Sequence, residues 1–189
     1  IMDCPYGTMY VIPKEYIDHS RPGAHAIEMA ARRYYMRGGS WMKDDLEFLE
    51  SYLITEYDTE IIFGKDEKDA YYYDVNCIGI NTTRKKEIQL FCLLHEAGHL
   101  ILRKNENFKD NYPDVYKDGR TQLSRVDIIK EEIDAWAEGR ELARRLSIEI
   151  DDRRWNRYWK RQVYKYVKWA VDKGRWRMNI FVLHGDPTI

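Results

Sequence analysis

The segment Leu93-Leu94-His95-Glu96-Ala97-Gly98-His99-Leu100 sets two histidines four residues apart, with a glutamate directly after the first. On a helix that spacing puts both imidazoles on one face, about 5 to 6 Å apart at Cβ, so both reach one metal ion. The glutamate lies on the same side and is placed to take a proton from water at that ion. Zinc is the expected metal, because two neutral imidazoles and a carboxylate make a three-ligand site with one position open for water and substrate. Histidine is scarce, five in 189 residues, and two of the five fall on this otherwise apolar run. Gly98 points the same way, since glycine inside a helix costs about 1 kcal/mol relative to alanine and so announces a close neighbour. The competing reading is a pair of core histidines. The apolar helix that follows β-type runs is the context the metal reading requires.

A third ligand has to come from downstream. Lys130-Glu131-Glu132-Ile133-Asp134-Ala135-Trp136-Ala137-Glu138-Gly139 is the densest acidic cluster after the histidines. Glu132 has Ala135 and Gly139 at +3 and +7, small residues that let its helix pack tightly and deliver the carboxylate inward. Glu131 is its rival. Asp134 or Asp127 is a candidate hydrogen-bond partner for a ligand histidine.

These residues need elements to hold them. Residues 24–37 read as a helix stopped by Gly38-Gly39, and a second helix is expected from about Lys43 to Tyr52 with Leu46, Phe48, Leu49 and Leu53 as its apolar set. Short β-type runs follow at Thr59 to Phe63, Ala70 to Val75 and Cys77 to Ile80. Thr82 or Thr83 is expected to cap the histidine helix, Glu87 to Leu102. A polar loop with Pro113 and Gly119 comes next, then a helix to about Leu146 opened by a Ser124/Asp127 capping box. The last helix, about Asp152 to Lys173, aligns Trp155, Trp159, Val163, Tyr166, Val167 and Ala170. The fold class is α+β, mostly helical, with one small mixed sheet before the histidine helix.

The bulk properties fit one domain over residues 1–189, with no repeat or low-complexity linker. With 14% aromatic residues and 44% hydrophobic residues the chain has ample surface to bury. No apolar run approaches the roughly 18 residues of a membrane span, and no basic-then-apolar leader opens the sequence, so a cytoplasmic protein is expected. Cys4, Cys77 and Cys92 are an odd, widely spaced set that suggests no disulfide framework. The net charge of -1 hides a division: residues 1–150 carry 21 basic and 28 acidic side chains, residues 151–177 carry 10 basic and 3 acidic.

The stretch from Ile61 to Leu102 resembles the ImmA/IrrE family of zinc metallopeptidases, above all at Cys77-Ile78-Gly79-Ile80-Asn81 and at His95-Glu96-Ala97-Gly98-His99-Leu100-Ile101-Leu102. That family carries an I-x-I-N strand, an H-E-x-G-H helix, and a later helix with E-x-x-A whose glutamate is the third ligand. Glu132-Ile133-Asp134-Ala135 matches the last. The resemblance spans about residues 58–146 and implies a gluzincin-like, zincin-type minimal peptidase fold. His95, His99 and Glu132 would bind Zn2+, Glu96 would be the catalytic base, and Ile78, Gly79 and Ile80 would line the cleft and pair with an extended substrate. Relatives often cleave a repressor in a limited way. Trp136 departs from the pattern, standing where the family has a small polar residue, and no helix-turn-helix segment is visible.

The expected activity is therefore a zinc endopeptidase acting on a specific cytoplasmic protein or peptide. Zinc lowers the pKa of water toward about 7 and Glu96 removes its proton. Tyr71, Tyr72, Tyr73, Tyr112, Tyr116 and His184 are candidates to steady the oxyanion. A SprT-like protease is a rival within the same class. From a different class comes a catalytically inactive zincin-fold binding module that works through its C-terminal helix. There Arg153, Arg154, Arg157, Lys160, Arg161, Lys165 and Lys168 interleave with Trp155, Tyr158, Trp159, Tyr164 and Tyr166. Docking on the acidic body is the first expectation for that helix, ahead of nucleic acid or an anionic membrane.

Overall fold

A computed structural model describes residues 45–117 and 119–171. The chain divides at Met42/Lys43, and every described residue belongs to the second unit, residues 43–189. The expected helix at residues 24–37, together with Cys4 and His184, lies outside the described residues. The described elements run α1 (Asp45–Tyr57), β1 (Glu60–Gly64), β2 (Ala70–Tyr72), β3 (Cys77–Asn81), α2 (Lys86–Lys104), the short α3 (Phe108–Asn111), a 3-10 turn at Val115–Lys117, α4 (Gln122–Arg145) and α5 (Asp152–Val171). The described residues are thus α+β, mostly helical, with one small mixed sheet among them. No helix among the described residues is long and apolar enough to cross a membrane.

Helix α1 buries Leu46, Phe48, Leu49 and Leu53, the set its sequence pattern presents. Asn76 joins its end to the sheet. Asn76 adopts φ 49°, a left-handed conformation that asparagine tolerates better than most residues. From there its amide donates to the carbonyls of Tyr57 and Asp58, while its side-chain oxygen accepts from Thr59 and Tyr71 hydroxyls. The same turn ends β2 at Tyr72, three residues short of the run the sequence suggested.

Strand order is β1-β3-β2, with β1 parallel and β2 antiparallel to β3. β3 is therefore the central strand. Ile78 and Ile80 are fully buried, and the register pairs Ile78 with both Ile61 and Tyr71 and Gly79 with both Ile62 and Ala70. This corrects the expectation that Ile78 and Gly79 offer an edge to an extended substrate, because both lie between two paired strands; Ile80 is paired with Phe63 of β1 and lies beyond the β2 register.

Helix α2 is buried from Gln89 through Leu100, so it is a core helix rather than an amphipathic surface one. Its N-cap is Lys85 and not a threonine. Asn81 takes up the preceding turn instead, accepting from the Thr83 backbone N–H and hydroxyl. Helix α4 starts earlier than expected, with Thr121 as the N-cap that accepts from the Ser124 N–H. Ser124 and Asp127 serve the loop before it, accepting from the Gly119 and Asp114 backbone N–H groups. That loop packs on its own apolar cluster of Phe108, Tyr112 and Val115 against Ile128 and Tyr166.

Two glycines let α2 and α4 lie against each other. A Cβ on Gly98 would sit 2.8 Å from the Ala135 carbonyl carbon, and one on Gly139 would sit 2.8 Å from the Leu94 carbonyl carbon. The pairing runs antiparallel, and the small-residue spacing read around Glu132 is the far side of that seam. Helix α5 closes the body. Asp151 caps it by accepting from the Arg153 and Arg154 N–H groups, and Trp155, Val163 and Tyr166 are buried. Trp159 and Ala170 are half-buried and Val167 is exposed, so the apolar stripe is narrower than its sequence pattern.

Candidate metal centre

His95 and His99 stand one turn apart on α2, and Glu132 comes from the facing turn of α4. All three are buried, and their ligand atoms lie within 4.8 Å of one another. Glu132 Oε2 is 3.3 Å from His95 Nε2, and Glu132 Oε1 is 3.4 Å from His99 Nε2. Two ligand atoms sharing a tetrahedral zinc at about 2.0–2.1 Å would stand about 3.4 Å apart. The donor set and its spacing fit a metal ion. A further observation agrees: Glu132 Oε2 and Glu96 Oε2 are fully buried without a hydrogen bond, where buried polar atoms nearly always have one.

The electrostatics reflect a cluster of opposed charges out of water. Burial lowers the His95 pKa, against the pull of Glu132. Burial also works against a charged His99, but Glu132 and Glu131 outweigh it and push that imidazole up to about 10. Burial resists ionisation of Glu132, yet His99 and His95 hold it well below the usual carboxylate range.

Glu131 is not in the three-residue cluster. Its Oε1 is 3.2 Å from His99 Nδ1, and Arg103 donates to both of its oxygens at 2.8 and 3.1 Å. Arg103 in turn lies over the Tyr73 and Phe108 rings, 4.7 and 5.1 Å from their centroids. Glu131 thus orients His99 from behind and leaves Nε2 turned toward Glu132. Asp134 and Asp127 do not take that role: Asp134 accepts from Tyr112 and Lys130, Asp127 from the Asp114 N–H. A Glu131→Gln chain is expected to bind zinc about 10- to 100-fold more weakly with its fold intact, read by competition with a chromophoric chelator. Unchanged affinity would mean that packing alone orients His99.

Glu96 lies beside the same cluster, with Oε1 3.9 Å from His95 Nε2. Burial pushes its carboxyl well above the usual carboxylate range, opposed by His99.

Sequence reasoning missed the role of Trp136. Its ring stacks on the His95 imidazole at 4.1 Å and 14°, and it meets Trp155 and Tyr158 of α5 edge-on at 5.1 and 5.8 Å. The only signal was an aromatic residue where the resemblance calls for a small polar one. Of the tyrosines, Tyr71 and Tyr112 spend their hydroxyls on Asn76 and Asp134. Tyr73 and Tyr116 are exposed. Tyr72 is half-buried, and burial together with the Glu67, Cys77 and Glu96 charges raises its pKa. Comparisons with protein-family models, curated proteins and solved structures found no match to this chain.

Proposed function

We propose that the chain is a zinc-dependent endopeptidase with a zincin-type fold, related to the ImmA/IrrE family, that cleaves a specific cytoplasmic protein such as a repressor or other regulator. The observation that carries this reading is Glu96. It is a buried carboxyl beside a His2Glu cluster and outside the ligand set. A structural metal site closes its coordination with ligands and has no use for such a group, whereas a catalytic one keeps a position open beside a base. The rival reading, an inactive binding module, leaves Glu96 without a reason.

His95, His99 and Glu132 would hold the ion, and Zn2+ suits two imidazoles and a carboxylate. When bound, zinc supplies a Lewis acid that polarises a carbonyl and makes water nucleophilic near neutral pH. Glu96 Oε accepts the proton of the attacking water as the new C–O bond forms. It then passes that proton to the amide nitrogen as the C–N bond breaks, so one water is consumed and two chain ends result. Trp136 covers one face of His95 and keeps water from it. An extended substrate would join this sheet at an outer edge, β1 or β2, because β3 is central.

The test is to incubate the zinc-loaded chain with a peptide library cut from a bacterial proteome and identify new N-termini by mass spectrometry. New ends that vanish with a chelator and return with zinc are expected. Identical ends with and without metal would overturn the proposal.

A further inference from the structure

Helix α5 carries seven cations, Arg153, Arg154, Arg157, Lys160, Arg161, Lys165 and Lys168, against a single carboxylate, Asp152. Arg154 pairs with Glu87 and Asp152 with Arg140. Arg153, Arg157, Lys160, Arg161 and Lys168 are exposed, and none has an ion-pair partner among the described residues. At steps of three and four they fall, with the exposed Tyr164, on one outward stripe about 22 Å long.

The neighbouring helix shows what an ordinary solvated face looks like in this protein. On α4 the outward cations are matched: Lys130 with Asp134, Arg144 with Glu141, Arg145 with Glu138. Those pairs support a helix, whereas like charges four apart, as in Arg153/Arg157 and Arg157/Arg161, weaken it. The α5 stripe keeps repulsive spacing with no carboxylate among the described residues to relieve it, so an external anion is what it fits.

An amphipathic cationic helix can also lie on an anionic bilayer, but it binds there through its apolar face. In α5 that face is already used. Trp155 packs edge-on against Phe91 and Trp136, Tyr166 joins the Phe108 cluster, and the Tyr158 hydroxyl accepts from Arg84. Among the described residues the charged side remains, with the exposed Tyr164 set among Lys160, Arg161 and Lys168. Arginines at successive turns suit phosphate oxygens, which they grip with two donors, and an exposed tyrosine among them can stack on a base or bond a phosphate.

We propose that this stripe of α5 binds the phosphate backbone of a nucleic acid. Contacts of this kind position a protein without reading sequence. Binding is independent of the metal and of cleavage, so a Glu96→Gln chain binds as well as the wild type.

The test titrates the full chain into a fluorescein-labelled DNA duplex about 20 base pairs long, two helical turns, with the corresponding single strand as a parallel arm, and reads anisotropy. Four or five phosphate contacts predict a loss of affinity of roughly 10²- to 10³-fold between about 50 and 200 mM salt. Arg157→Gln/Arg161→Gln should flatten the salt slope by about one unit per cation removed, at an unchanged melting temperature. The charge-keeping Arg157→Lys/Arg161→Lys should retain it. Tighter binding to the single strand would support the same surface and assign Tyr164 to stacking. Three results would overturn the proposal: no anisotropy change at the lower salt, a salt slope unaltered in the Gln variant, or tighter binding to polyglutamate or phosphatidylserine vesicles than to either DNA.

Discussion

A Glu96→Gln chain is expected to keep its zinc and to cleave roughly 10²- to 10⁴-fold more slowly, the range a positioned general base contributes. The substitution is nearly isosteric. The cluster of His95, His99 and Glu132 does not include Glu96, so the ligand set is untouched. What goes is the group that takes a proton from water and returns it to the departing amine. Glutamine can hydrogen-bond the water but cannot accept its proton. The measurement pairs zinc content by elemental analysis with the rate at which new N-termini appear. Full zinc with undiminished cleavage would remove Glu96 from the mechanism. Lost zinc would instead make Glu96 a ligand, and the spacing around Glu132 would need another explanation.

The histidine pair was legible because its information is local. Four residues on a helix fix one face whatever surrounds it, and the apolar run marked that helix as buried. The pair of adjacent glutamates was half legible. Neighbouring positions on a helix point about 100° apart, so Glu131 and Glu132 cannot do the same thing. Sequence alone does not say which one straddles the two Nε2 atoms and which reaches round to His99 Nδ1. Residue Arg103, eight positions past His95 on the same helix, decides it by holding Glu131.

Strand order was the part that spacing could not reach. Alternation and turn residues located three strands, but whether β3 lies at an edge depends on β1 pairing in parallel across a connection that contains β2. That is a long-range choice made by packing on α2. The caps were misplaced for a related reason. Thr82, Thr83 and Ser124 all have suitable hydroxyls, and which hydroxyl serves a helix end depends on backbone angles set by Asn81 and Gly119. The aromatic stripe of α5, by contrast, was visible as a docking face, since three of its six members are fully buried.

Replacing either Gly98 or Gly139 by alanine is expected to lower stability by about 3 kcal/mol, the upper part of the usual cost of overpacking. Unlike a side-chain clash, this one is with main chain. The new methyl group would lie within 2.8 Å of the Ala135 or Leu94 carbonyl carbon, and neither atom can rotate away. The helices must separate instead. For a chain of this size the loss corresponds to a fall of roughly 6–12 °C in melting temperature, readable by calorimetry. Because both substitutions force the same separation, the double variant should cost less than the sum of the two, an interaction that a mutant cycle measures. The separation also moves Glu132 away from His95 and His99, since α4 carries the carboxylate and α2 the imidazoles. Zinc affinity should therefore fall in both glycine variants although no ligand is altered. A variant that melts early yet binds zinc as tightly as the wild type would show that the centre is held by Glu131 and Trp136 rather than by the closeness of the two helices.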